Sequence, residues 1–64
     1  MPEFFLIVWA DRGGYIQTLR MYCAHDVAYG KYQSQRIEPG VKWCEIYCQC
    51  GHGLLKIGGY VPAE

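Results

Sequence analysis

No Cys-x-x-C pair, no Gly-rich phosphate loop and no run of like charge occurs in this chain, and its only serine is Ser34. Each absence excludes something. Without Cys-x-x-C the usual spacing of a zinc knuckle is missing. Without a phosphate loop or a serine nucleophile motif, two common routes to catalysis have no carrier. Six basic and six acidic residues cancel. Nonspecific binding to a phosphate backbone relies on several unopposed Lys and Arg, so neutrality argues against it, and equally against acidic mimicry of nucleic acid. The only long apolar run, Phe4 to Ala10, is seven residues. That is too short to cross a bilayer and lacks the basic flank of a secretory peptide. The expectation is a cytoplasmic setting, in which thiols stay reduced. No internal repeat, low-complexity tract or linker is present, so residues 1–64 read as a single small domain.

What the chain does have is cysteine and aromatic surface. At 64 residues it buries only about 60% of the surface that its unfolded form exposes, so its own core is marginal. A metal, a disulfide or a partner subunit is the usual remedy. Four cysteines keep the first two open, and an aromatic content of 16% points to the third.

Phe4 to Ala10 predicts a first strand that is apolar on both faces, which favours an inner position in its sheet. Asp11-Arg12-Gly13-Gly14 is a turn, and Tyr15 to Cys23 return as a second strand. With Ala10 opposite Tyr15, Leu6 meets Leu19 and Phe4 meets Met21. Leu19, Met21 and Cys23 then share a face with Phe4, Leu6 and Val8. Asp26 is a candidate helix N-cap, with a helix from about Val27 to Ile37 that buries Ala28, Tyr29, Tyr32 and Ile37. Glu38-Pro39-Gly40 ends it. Val41 to Val61 predicts a second hairpin turning at Gly51-His52, with Cys50 facing Gly53, Cys48 facing Leu55, Ile46 facing Ile57 and Cys44 facing Gly59. Gly58-Gly59 suggests a bulge, or bare backbone beneath an aromatic ring.

The expected architecture is α+β: a small four-stranded, mostly antiparallel sheet in the order ββαββ, with one helix packed on one face. The helix would cover Phe4, Leu6, Val8, Leu19, Met21, Cys44, Ile46, Cys48, Leu55 and Ile57.

The cysteines and histidines allow two readings. Cys23, His25, Cys48, Cys50 and His52 are the candidate zinc ligands if the strand ends meet in space. Cys48 and Cys50, two apart on a strand, lie roughly 7 Å apart unless the strand bends. The other reading makes the cysteines small buried hydrophobes, because Cys23, Cys44 and Cys48 all fall on the expected core face. Cys50 with His52 or His25 is the only candidate nucleophile–base pair, and a turn leaves little room for a substrate cleft. No enzyme, no small-molecule substrate and no cofactor is expected, zinc being the one alternative.

A single helix covers a single face. The face left open would hold Trp9, Tyr22, Trp43, Tyr47 and Tyr60 with Arg20, together with Phe5, Ile7, Ile16 and Leu54. An apolar patch of that composition marks an interface. The expectation is a protein-binding module that works by contact, either as a homodimer packed through its sheets or docked on a different protein. Small compact chains of this kind are common among phage and mobile-element inhibitors of host proteins, a comparison resting on size alone. The alternative is a zinc-stabilised domain with a structural or nucleic-acid-binding role. Only Arg20 and Lys56 stand among the aromatics, which is few for base stacking with phosphate contacts.

Overall fold

The structure, a computed structural model, describes residues 2–61, and the backbone alone for Cys50. The elements are β1 (Glu3–Asp11), β2 (Ile16–Cys23), α1 (His25–Arg36), β3 (Val41–Cys50) and β4 (Gly53–Tyr60). The chain is α+β, with one antiparallel sheet in the order β2-β1-β3-β4. The doubly apolar β1 is an inner strand, as its composition predicts. β2 and β3 both run antiparallel to β1 and hence parallel to each other, and α1 carries the chain across β1 between them.

The first hairpin differs from the expected register by one residue. Ala10 faces Ile16, Leu6 faces Arg20 and Phe4 faces Tyr22. The cause is the loop. The N–H of Asp11 donates to the carbonyl of Tyr15, and the N–H of Gly14 to the carbonyl of Asp11, both at 3.0 Å. Arg12, Gly13 and Gly14 therefore form a three-residue loop, closed by Gly14 at φ +85°. Glycine at that last position is what a three-residue hairpin requires. The Asp11 carboxylate secures the turn by accepting from the N–H groups of Gly13 (2.9 Å) and Tyr15 (3.0 Å). Because strand side chains alternate, a slip of one residue exchanges the two faces of β1 relative to β2. Phe5, Ile7 and Trp9 thus join Leu19, Met21 and Cys23 beneath the helix, while Phe4, Leu6 and Val8 face the other way.

The core lies between α1 and the sheet. Phe5, Ile7, Ala28, Tyr32, Val41, Cys44, Ile46 and Cys48 are buried, and Trp9, Leu19, Met21, Cys23, Tyr29, Ile57 and Tyr60 pack around them. The cysteine and isoleucine stripe of β3 is where its alternation predicts. Leu55 was also expected beneath the helix and is exposed. Near its turn, β4 lies beyond the reach of α1.

The helix starts earlier than expected. Its N-cap is Ala24, which makes no side-chain cap, and Asp26 sits in the first turn, where a carboxylate meets the positive end of the helix dipole. Ile37 follows the last helical residue as the C-cap and is exposed rather than buried. Arg12 Nε donates to the carbonyl of Pro39 at 2.9 Å, tying the first hairpin loop to the turn after the helix.

In the second hairpin the predicted pairs hold from Cys50–Gly53 to Cys48–Leu55. Gly51, at φ +61°, opens a two-residue turn. A bulge then shifts the register, so that Ile46 faces Gly58 and Cys44 faces Tyr60. Both expected features of the glycine pair are present. A Cβ on Gly58 would stand 3.1 Å from Ile46 Cγ2 and 3.3 Å from Tyr32 Cε2, so the ring of Tyr32 lies on bare backbone. The bulge also carries Tyr60 to the helix side.

Candidate protein-binding surface

The face of the sheet away from α1 carries Phe4, Leu6 and Val8 from β1. Ile16, Thr18, Arg20 and Tyr22 come from β2, Trp43, Glu45, Tyr47 and Gln49 from β3, and Leu54 and Lys56 from β4. No described element covers it. Phe4 and Tyr22 form a cross-strand aromatic pair with ring centroids 4.6 Å apart, and both are more than half exposed. Ile16 and Leu54 are also more than half exposed, whereas Trp43 and Tyr47 are half-buried among their neighbours.

One polar cluster interrupts the apolar surface. Lys56 Nζ contacts Glu45 Oε2 at 2.8 Å, and Tyr47 Oη donates to Glu45 Oε1 at 2.9 Å. The hydrogen bonds from Lys56 and then Tyr47 hold the Glu45 carboxyl below its ordinary value. The same carboxylate raises the Tyr47 hydroxyl and the Lys56 ammonium. All three prefer the states in which they pair. Gly59 makes room for this: a Cβ there would stand 3.0 Å from Lys56 Cε. The lysine stem crosses bare backbone on its way to Glu45. Beside the cluster, Trp43, Glu45, Lys56, Gly59, Tyr60 and Val61 line an open depression of about 360 Å3.

Of the six residues expected on the open face, Tyr22, Trp43, Tyr47 and Arg20 are there. Trp9 and Tyr60 are not. Trp9 faces Cys44 on the helix side, through the one-residue change in the first hairpin. Tyr60 is turned to that side by the β4 bulge, and the Arg36 guanidinium lies over its ring, 4.7 Å from the centroid. Phe5 and Ile7 were likewise assigned to the open face and are buried beneath the helix. Phe4, Leu6 and Val8 replace them. The uniformly apolar sequence of β1 carries no signal that would have told the two faces apart.

Among the described residues, the proposed metal ligands are not gathered into a group of three or more. His25 stacks on Tyr29 and meets Phe5 edge-on, each at 5.7 Å between centroids. His52 is exposed at the tip of the second hairpin. Cys48 Sγ donates to Glu3 Oε2 at 2.9 Å. Cys23 is half-buried beside the core. The side chain of Cys50 lies outside the described residues, and with it the Cys50 nucleophile pairing. Among the described residues, no group of three or more His, Cys, Asp and Glu is placed to hold a metal ion. Cys44 is fully buried, and burial pushes its thiol up, away from the reactive thiolate. No described helix is long and apolar enough to cross a membrane.

Comparison with protein families, with curated proteins and with solved structures finds no match.

Proposed function

We propose that this chain is a small non-enzymatic protein-binding module that acts by contact, through the sheet face carrying Phe4, Tyr22, Trp43 and Tyr47. The observation behind this reading is that uncovered face. It places aromatic and aliphatic side chains from all four strands on one surface, with Arg20 and the Glu45–Lys56 pair as its few charges. Aromatic residues and arginine dominate binding energy at interfaces. The depression beside Trp43 suits an anchoring side chain of a partner, with the Glu45–Lys56–Tyr47 cluster giving direction at its rim. Contact-based inhibition of a host protein in the cytoplasm, the mode of many small phage products, is the role we propose from the small size of the chain.

The test is a dissociation constant for the first complex isolated. Trp43→Ala should weaken it by about 1–2 kcal/mol or more, the usual cost at a hot spot. Val27→Ala, an exposed change on the helix, should leave it unchanged. Equal affinity for wild type and Trp43→Ala would remove this face from the function.

A further inference from the structure

The two edges of the sheet are built differently. β4 is blunted in two ways that natural sheets use against edge pairing: a bulge breaks its register, and Lys56 stands on it. β2 shares only the single charge and has no bulge. Its pairing with β1 runs unbroken from Ile16 to Cys23, it contains neither proline nor glycine, and its only charge is Arg20.

The ladder fixes which backbone groups of β2 point outward. Hydrogen-bonded and non-hydrogen-bonded pairs alternate between antiparallel strands. The bond from the Asp11 N–H to the Tyr15 carbonyl sets the phase. Gln17, Leu19, Met21 and Cys23 therefore bond to β1, while the N–H and C=O groups of Ile16, Thr18, Arg20 and Tyr22 point away from it. Among the described residues no strand pairs with that outer edge.

We propose that the β2 edge is a self-pairing surface, on which two copies of this chain join β2 to β2, antiparallel, about a two-fold axis at Leu19. The register is self-complementary. Ile16 falls opposite Tyr22 of the second copy and Thr18 opposite Arg20, while Leu19 meets Leu19 on the helix side. All four outward-facing residues then find partners, with on the order of eight backbone hydrogen bonds across the axis. Ile16 and Tyr22, 59% and 62% exposed, cover each other as an aliphatic–aromatic cross-strand pair. A slip of two residues is disfavoured in either direction. One sets Arg20 against Arg20 of the second copy, and the other leaves Tyr22 opposite the first hairpin loop. The junction fuses two four-stranded sheets into one and leaves both open faces on the same side. It does not depend on those faces binding a partner. A single edge buries less than the about 800 Å2 per partner of a standard interface, so the pairing is reversible, with a dissociation constant on the order of micromolar.

Sedimentation of the intact chain from about 1 μM to about 1 mM, with hydrogen exchange at both ends of that range, tests the proposal. The expected result is a monomer–dimer equilibrium. On dimerisation the amides of Ile16, Thr18, Arg20 and Tyr22 should slow about tenfold, while those of Gln17, Leu19 and Met21 are slow at every concentration. Thr18→Pro removes an outward N–H and no bond to β1, and should raise the dissociation constant at least about tenfold. If that variant fails to fold, charge decides. Thr18→Lys, opposite Arg20 of the second copy, should weaken pairing about fivefold, and Thr18→Glu should preserve or tighten it. A wild type that stays monomeric throughout overturns the proposal. So does a dimer indifferent to both Thr18→Pro and Thr18→Lys, or one without alternating protection, since either would be joined through its faces or its helix.

Discussion

Replacing Gly58 by alanine puts a methyl group where the structure has no room for one. The new Cβ would lie 3.1 Å from Ile46 Cγ2 and 3.3 Å from Tyr32 Cε2. Neither neighbour yields easily. Ile46 is β-branched and fully buried on an inner strand, and Tyr32 is buried, with Arg36 lying over its ring. Overpacking of this kind costs about 1–3 kcal/mol. Alanine also restricts the unfolded chain, which returns about 0.4–1 kcal/mol. The net expectation is a loss of roughly 0–2.5 kcal/mol. In a domain this small, each kcal/mol shifts Tm by about 4–8 °C. Two companion substitutions supply the contrast. At Gly59 the added methyl crowds the end of the Lys56 side chain, which can swing aside, and meets Glu45 Cγ at an ordinary 3.9 Å, so stability should stay within about 0.5 kcal/mol. At Gly30, inside α1, nothing lies within 4 Å, and alanine should stabilise by up to about 1 kcal/mol. Urea unfolding of the three variants measures the series. If Gly58→Ala proves as stable as Gly30→Ala, the packing of Tyr32 over the β4 bulge is wrong.

Acid should weaken the open-face cluster. The Glu45 carboxyl is held below its ordinary value in the folded chain, so its contribution is complete above the ordinary carboxylate range and is lost as pH falls through the lower, folded value. Lys56→Met should flatten that acid limb of a Tm-against-pH curve, by a small amount because the pair is solvent-screened. Alkali acts on the core. Burial raises both the Cys44 thiol and the Tyr32 hydroxyl, so their neutral forms favour the fold below their ordinary values, and that stability drains away as pH rises toward the folded ones. Cys44→Ala, which deletes a fully buried thiol, should lower stability by about 1–2 kcal/mol yet flatten the alkaline limb of the curve. A chelator should leave Tm unchanged if the cysteines serve as core residues; a fall of many degrees would make metal-dependent folding the starting point instead.

The order of elements, the inner place of β1 and the glycine bulge were legible in the sequence, and so were the faces of β2 and β3. Those two strands alternate: Leu19, Met21 and Cys23 against Thr18, Arg20 and Tyr22, and Cys44, Ile46 and Cys48 against Glu45, Tyr47 and Gln49. Alternation carries orientation with it. β1 has apolar residues at every position from Phe4 to Ala10, so either orientation looks equally good. Its facing rests on whether Ala10 or Asp11 stands opposite Tyr15, a loop of four residues or of three, and a loop with two adjacent glycines fits both. Trp9 and Phe4 changed places on that single residue. Tyr60 followed the same logic at the other end: the bulge was expected, but its position along β4 decides which side Tyr60 takes, and that position depends on the contact between Tyr32 and Gly58 across the fold. The helix start was misplaced because Asp26 offers a capping side chain and Ala24 does not. The helix forms over residues that bury Ala28 and Tyr32, and packing outweighs the cap.

The proposed function rests on one surface, and nuclear magnetic resonance of the isotopically labelled chain with its first isolated partner tests it most directly. The expected result is a set of shifts concentrated at Phe4, Leu6, Val8, Tyr22, Trp43 and Tyr47, with the exposed helix residues Val27, Lys31 and Ser34 unmoved. Shifts concentrated on α1, with the open face of the sheet unchanged, would contradict it.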